Sequence, residues 1–378
     1  MKQMCGLIET LLVLVLLVLW PLVASAQWKS EGSLSTTLES NVLRSYNPYQ
    51  DRITEGILYV AHQWDFPAIT GVLSYQLNSV SLNDLDEHNF TINTLGISGE
   101  HKFGDGGWLN GGLQAAQRED REAYTTLDYR EFGVFLDARI PCKENLTAVT
   151  GYRLRKRLYS MATELDNWEN LLYGGVTLAF SNGTTFSMLS EVGYKNYLLP
   201  VFSASGIGKS DGDGAKVGQW ANTLRFSRPL LDNLGLMFYG RGRINFGDQE
   251  VYISGLSPKY FSENDLYDDR YGYESRECGG MLSYRLPHAL VLRIGYDYAD
   301  KSYQQMALDL DSTLILDEGA RHDTIRGMWG RAEKRFSFSG NKRQLNLYGE
   351  YKWLRNNSND PFYRYGASST TIGVAVTF

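Results

Sequence analysis

Long apolar runs are scarce in this 378-residue chain. The one strong run, Leu11 to Trp20, lies near the N-terminus and does not recur. That excludes a bundle of membrane-spanning helices, each of which needs about 20 apolar residues. Basic surplus is missing as well: 37 Lys and Arg stand against 43 Asp and Glu, a net charge of -6. A nucleic-acid footprint would need a basic face or stripe, so none is expected. Cysteine is nearly absent, with three in all, and Cys142 and Cys278 fall on segments that are not neighbours, so both are expected as free thiols. The five His residues are dispersed, none at zinc spacing, and no cofactor is implied. Helical periodicity is almost absent too. Aromatic residues, by contrast, make up 13% of the chain, which excludes a disordered one.

The N-terminal run is an address. Lys2, the apolar stretch, Pro21 and Ala24-Ser25-Ala26 read as a secretory signal peptide over 1–26, cleaved after Ala26. Residues 27–378 then form a single domain whose first strand leaves no room for a plug or a periplasmic module.

Beyond it, apolar and polar residues alternate at period two. Leu290, Leu292, Ile294, Tyr296 and Tyr298 share one parity, and Arg293, Asp297 and Lys301 the other. Successive strand side chains point to opposite faces, so each such segment has an apolar and a charged face. About sixteen segments fit, the first over 32–43 and the last over 369–378, each long enough to cross a bilayer as a tilted strand. Connectors after even-numbered segments are short, among them Asn182-Gly183, read as a tight two-residue hairpin turn. Those after odd-numbered segments are mostly long and acidic. Short turns at one end and long loops at the other fit an antiparallel transmembrane β-barrel, with short periplasmic turns and long extracellular loops. A soluble sandwich has no reason to keep every long loop at one end. In lipid the sheet must close, because every backbone group has to be paired.

The chain ends on an alternating strand with Ile372, Val374 and Val376 six, four and two positions before a terminal Phe378. This resembles the C-terminal strand of Gram-negative bacterial outer-membrane β-barrel proteins. The resemblance implies residence among outer-membrane lipids, recognition of Phe378 by the barrel assembly machinery and, for a porin-like barrel of this size, a homotrimer.

With apolar residues facing lipid, the inward set is heavily charged. Its candidates for lining a pore are Arg153, Arg155, Arg157, Arg241, Arg243, Arg293, Glu131, Asp137, Glu191 and Glu350. Sixteen strands enclose a lumen too wide for wall side chains to fill, and rings of charge set selectivity in channels. The expectation is therefore a passive channel for small polar or anionic solutes; the bland alternative for each Arg is a lumen salt bridge. Trp64, Trp108, Tyr159, Tyr173, Tyr197, Tyr239, Tyr303 and Trp353 fall towards strand ends, where girdle aromatics sit.

Motifs of chemistry fail on context. Gly206-Ile207-Gly208-Lys209-Ser210 ends like a phosphate loop, but Ser203 stands where the first Gly is needed. Asp211, Asp213, Asp265, Asp268, Asp269, Asp309 and Asp311 lack calcium-loop spacing. Two competing readings stay open. One is a structural or biogenesis barrel with an occluded lumen and surface-interaction loops. The other is an outer-membrane hydrolase using His322 with Asp323, or His88 with Asp84 and Asp86.

Overall fold

The computed structural model describes residues 28–198, 216–247, 270–306, 319–338 and 343–378. The signal-peptide segment, the Gly206–Ser210 motif and the seven loop aspartates named above lie outside them. Sixteen antiparallel strands follow one another: β1 Trp28–Glu39, β2 Asp51–Asp65, β3 Thr70–Leu82, β4 Phe90–Phe103, β5 Gly107–Asp120, β6 Tyr129–Lys143, β7 Leu146–Tyr159 and β8 Asn167–Ala179. The second half adds β9 Thr185–Tyr197, β10 Lys216–Leu231, β11 Leu234–Gly247, β12 Glu274–Leu286, β13 Leu290–Met306, β14 Ala320–Phe338, β15 Arg343–Ser358 and β16 Tyr365–Thr377. Each pairs with its sequence neighbours, and β1 pairs with β16 to close the barrel. Closure leaves no open edge.

The alternation divides the wall as expected. Ile294 is 63% exposed and Ile372 71%, together with Leu172, Phe238 and Tyr351, all on the outer face. This is an inside-out arrangement by the standards of a water-soluble core, and it is what lipid on one side and water on the other produce. Cys142 and Cys278 are both exposed and free.

Two local expectations are corrected. The first strand begins at Trp28 and ends at Glu39, rather than spanning 32–43. The apolar period from Leu34 and Leu38 runs on to Val42, but there the chain turns inward. Val42 is wholly buried against Ile53, Val80, Leu82 and Phe90, so its hydrophobicity serves a loop-capping cluster. The hairpin between β8 and β9 is longer than two residues: Gly183 N–H donates to Phe180 C=O and Phe180 N–H to Thr184 C=O. Only Gly183 takes positive φ, +80°, whereas a type I′ turn would need it at Asn182 also. Asn182 instead accepts from Thr184 N–H at 3.0 Å.

Extracellular connectors are tied down in a repeating way. Asn89, Asp128 and Asp166 each accept, through a side-chain oxygen, the N–H of Leu82, Asp120 and Tyr159 respectively, all at 2.6 Å. The carbonyls of the same three residues accept N–H groups from Arg121, Ser160 and Leu198 in the next connector. Each loop is thus anchored to its own strand and to its neighbour, so three loops form a continuous rim above β3 to β9.

The charged lumen as candidate functional site

Pairing register brings six of the expected lumen residues together. Glu131 and Asp137 on β6, Arg153, Arg155 and Arg157 on β7, and Glu191 on β9 all face inward. Arg157 donates to Glu131 from Nε and Nη2 at 3.0 and 2.7 Å, and stacks on Tyr129 at 4.2 Å. Arg155 lies 3.5 Å from Glu131 and also pairs with Glu169. Arg153 lies 3.9 Å from Asp137 and 5.8 Å from the centre of the Tyr173 ring, and its side chain is 59% exposed. The three arginines therefore differ: one is locked in the wall, one bridges two carboxylates, and one projects into the lumen.

The other four expected residues lie further round. Arg241 Nε donates to Thr223 at 2.8 Å, and Arg243 pairs with Glu277 at 2.7 Å. Arg293 pairs with Glu333 at 3.0 Å, and Glu350 with Lys352 and, at 3.8 Å, Arg331.

A loop segment narrows this space. The turn Arg270–Gly272, just before β12, reaches inward over β10 and β9 as far as β8. Tyr271 Oη donates to Glu169 at 2.8 Å, and its ring lies against Gly193, where a Cβ would meet it at 2.3 Å. Arg270 lies 3.6 Å from Glu191. Two amides hold the turn: Gln219 Nε2 donates to the Arg270 and Tyr273 carbonyls, and Asn245 Nδ2 to the Tyr271 carbonyl at 2.9 Å. Below it is a cavity of ≈ 510 Å³ lined by Gln114, Phe135, Asp137, Arg153, Arg155 and Arg270 among others.

Several aromatic expectations change. Trp64 and Trp353 belong to the outward parity, but Trp108, Tyr159, Tyr173, Tyr197, Tyr239 and Tyr303 face inward. Tyr159, Tyr197 and Tyr303 are buried near the extracellular end, in a belt of phenol rings and cations. There Lys195 stacks on Tyr197 at 5.0 Å, Lys301 on Tyr273 at 3.9 Å and Arg321 on Tyr303 at 4.0 Å. Height along a strand was legible from the sequence, but face had to be read from parity, and these rings share parity with the charges.

The paired acid and His groups separate. Asp323 points inward to Arg321, while His322, its strand neighbour, points outward, with Ser302 Oγ 3.3 Å from Nδ1 and Asp300 3.5 Å from Nε2. Adjacent strand residues face opposite sides, so the two cannot cooperate. His88 is buried and stacks on Tyr124, with ring centres 3.8 Å apart, while Asp86 pairs with Arg121. Asp84 uses its backbone N–H to reach Asp51.

Solved structures share this architecture. Acinetobacter baumannii OccAB1 aligns over 94% of this chain and 97% of its own, with TM-score 0.52 and 9% identity. Pseudomonas aeruginosa OpdQ aligns over 93% and 98%, with TM-score 0.50 and 11% identity. The chain has the fold of outer-membrane porins. No family model and no curated protein matches the sequence. This porin fold places the charged set on the lumen side of the wall, and Glu169, Arg270, Tyr271 and Gln219 join it. Glu169 shares the inward parity opposite Leu172 and was legible in principle. Arg270 and Tyr271 lie in a loop, where no period marks them.

Proposed function

We propose that this chain is a porin-like channel of the bacterial outer membrane, passing small polar or anionic solutes by passive diffusion through a constricted, charged lumen. The observation that carries the reading is the closed sixteen-stranded wall, apolar outside and charged inside, with the Arg270–Gly272 turn narrowing one side. A lumen of this strand number holds water unless loops fill it. Arg153, half free in the cavity below that turn, supports the anionic preference. Export through the segment 1–26, assembly through the strand ending in Phe378 and association as a homotrimer belong to the same proposal. No step of it makes or breaks a covalent bond, so the chain acts without a catalytic site.

Single-channel recording in planar bilayers tests it. Discrete conductance steps are expected; silence at every voltage would favour the structural barrel with an occluded lumen. Replacing Arg153, Arg155 and Arg157 together with Gln lowers the anion-to-cation permeability ratio, and an unchanged reversal potential would remove the anionic preference.

A further inference from the structure

Midway up the inner wall, a group of side chains is left over by the ion-pair network. Tyr239 Oη donates to Asp297 Oδ1 at 2.8 Å, and Trp329 Nε1 donates to Oδ2 of the same carboxylate at 2.9 Å. Register explains how one carboxylate holds two rings. Tyr239 on β11, Gly279 on β12 and Asp297 on β13 stand in one row across three strands, and Trp329 on β14 stands opposite Gly295. A Cβ at Gly279 would lie 2.4 Å from the Tyr239 ring, and one at Gly295 2.3 Å from the indole. Both rings therefore lie over bare backbone, with one face on the wall and the other towards the lumen; strand glycines mark such close approach.

The same row recurs as Asp137, Gly151 and Tyr173 on β6 to β8, where Tyr173 donates to Asp137. There Arg153 lies over the ring, 5.8 Å from its centre. Among the described residues no cation stacks on Tyr239 or Trp329, and none lies within 4.0 Å of Asp297. The two rings and Asp297 border a second cavity of ≈ 570 Å³, together with the charged groups Glu39, Arg44, Glu277, Glu350 and Lys352. That is a common volume for a small-ligand site, where apolar surface meets a few fixed polar groups.

We propose that this cavity is a saccharide subsite of the channel: a neutral pyranose ring lies on the Trp329 and Tyr239 faces, and its hydroxyls bond to Asp297, Glu350 and Lys352. The proposal rests on the lumen being accessible to solutes. An aromatic face is electron-rich and attracts the polarised C–H groups of a sugar's apolar side. Charge balance selects a neutral ligand. Glu277 is engaged by Arg243, Glu350 by Lys352 and Glu39 by Arg44, while Asp297 already accepts two neutral donors. An organic cation would find one carboxylate outside an ion pair, doubly bonded; an anion would find the Lys352 ammonium and the Arg44 guanidinium, both already paired. Hydroxyls, which donate and accept, use all of these groups without breaking the pairs.

Titration calorimetry on the purified, detergent-solubilised full barrel tests this, with maltotriose, mannotriose and galactotriose as probes and mannitol and choline as controls. At least one trisaccharide binds saturably, and the open-chain polyol and the cation do not. Trp329→Ala weakens that binding about tenfold, equivalent to about 1.4 kcal/mol. Trp329→Phe keeps most of it, and Asp297→Asn, which leaves one acceptor for the two ring donors and sets an NH2 group against the other, weakens it severalfold and carries the test should Trp329→Ala not fold. No binding of any of the three sugars, tighter binding of choline, or unchanged affinity in the folded variants would overturn the assignment. Conductance of the same preparation separates the two proposals: a silent barrel that binds sugar loses the channel, and a conducting barrel that binds none loses the subsite.

Discussion

Arg153 and Arg157 lie on one face of β7, two pairs of residues apart, and meet opposite fates. Arg157 is buried between Glu131 and the Tyr129 ring, so it contributes to the wall and is screened from any solute. Removing one partner of a buried pair leaves the other charge uncompensated, which costs more than the pair itself contributes. Arg157→Gln is thus expected to lower stability by about 3 kcal/mol, seen as an earlier unfolding midpoint in urea, with little change in ion selectivity. Arg153→Gln should do the reverse: selectivity falls and the midpoint stays. Equal effects of the two variants on both readouts would contradict this division.

At the scale of the element, the rim loops and the inward turn are positioned by single polar side chains. Gln219 is fully buried and holds the Arg270 and Tyr273 carbonyls. Gln219→Ala leaves those carbonyls short of donors, at a cost of about 1–3 kcal/mol to the turn. Conductance should rise and amide exchange at 270–273 accelerate; unchanged values would show that the turn does not set the pore width. In the rim, burial of His88 lowers its pKa below the ordinary 6.5, a shift only partly offset by Glu87. The unfolded loop then binds a proton that the folded loop refuses. Stability from this group is accordingly present above pH 6.5 and lost as pH falls through the lower folded value. Exchange at 83–89 and 121–128, corrected for intrinsic rate, should increase on mild acidification, and His88→Phe should abolish that increase.

The whole molecule is a ring in which every strand depends on both neighbours, and the last bond made in chain order joins β16 to β1. Phe378 N–H donates to Ser30 C=O at 2.9 Å, next to that seam. Phe378→Ala should leave the folded barrel's urea midpoint nearly unchanged while reducing the yield of heat-modifiable barrel in outer membranes. If the midpoint falls instead and the membrane yield holds, Phe378 acts on stability rather than on assembly.

Strand number, closure, loop asymmetry and the charged inner face follow from local facts: a pleated strand alternates its faces, and the bilayer demands one apolar face and paired backbone. Leu292, Arg293 and Ile294 already carried that information, which is why the sixteen segments were legible. Which charges remain available was not. Arg153, Arg155 and Arg157 are equivalent in alternation, and only the register of β6 and β8 beside them brings Glu131 and Glu169 to two and leaves the third in the cavity. The same holds for Tyr239 and Trp329, whose meeting at Asp297 depends on two glycines across four hydrogen-bonded strands, and for Tyr271, which reaches Glu169 from 102 residues away in a loop with no period. Alternation is a property of one strand, so the sequence determined it alone; pairing across the wall and the inward path of a loop are long-range, and the tertiary structure decided them.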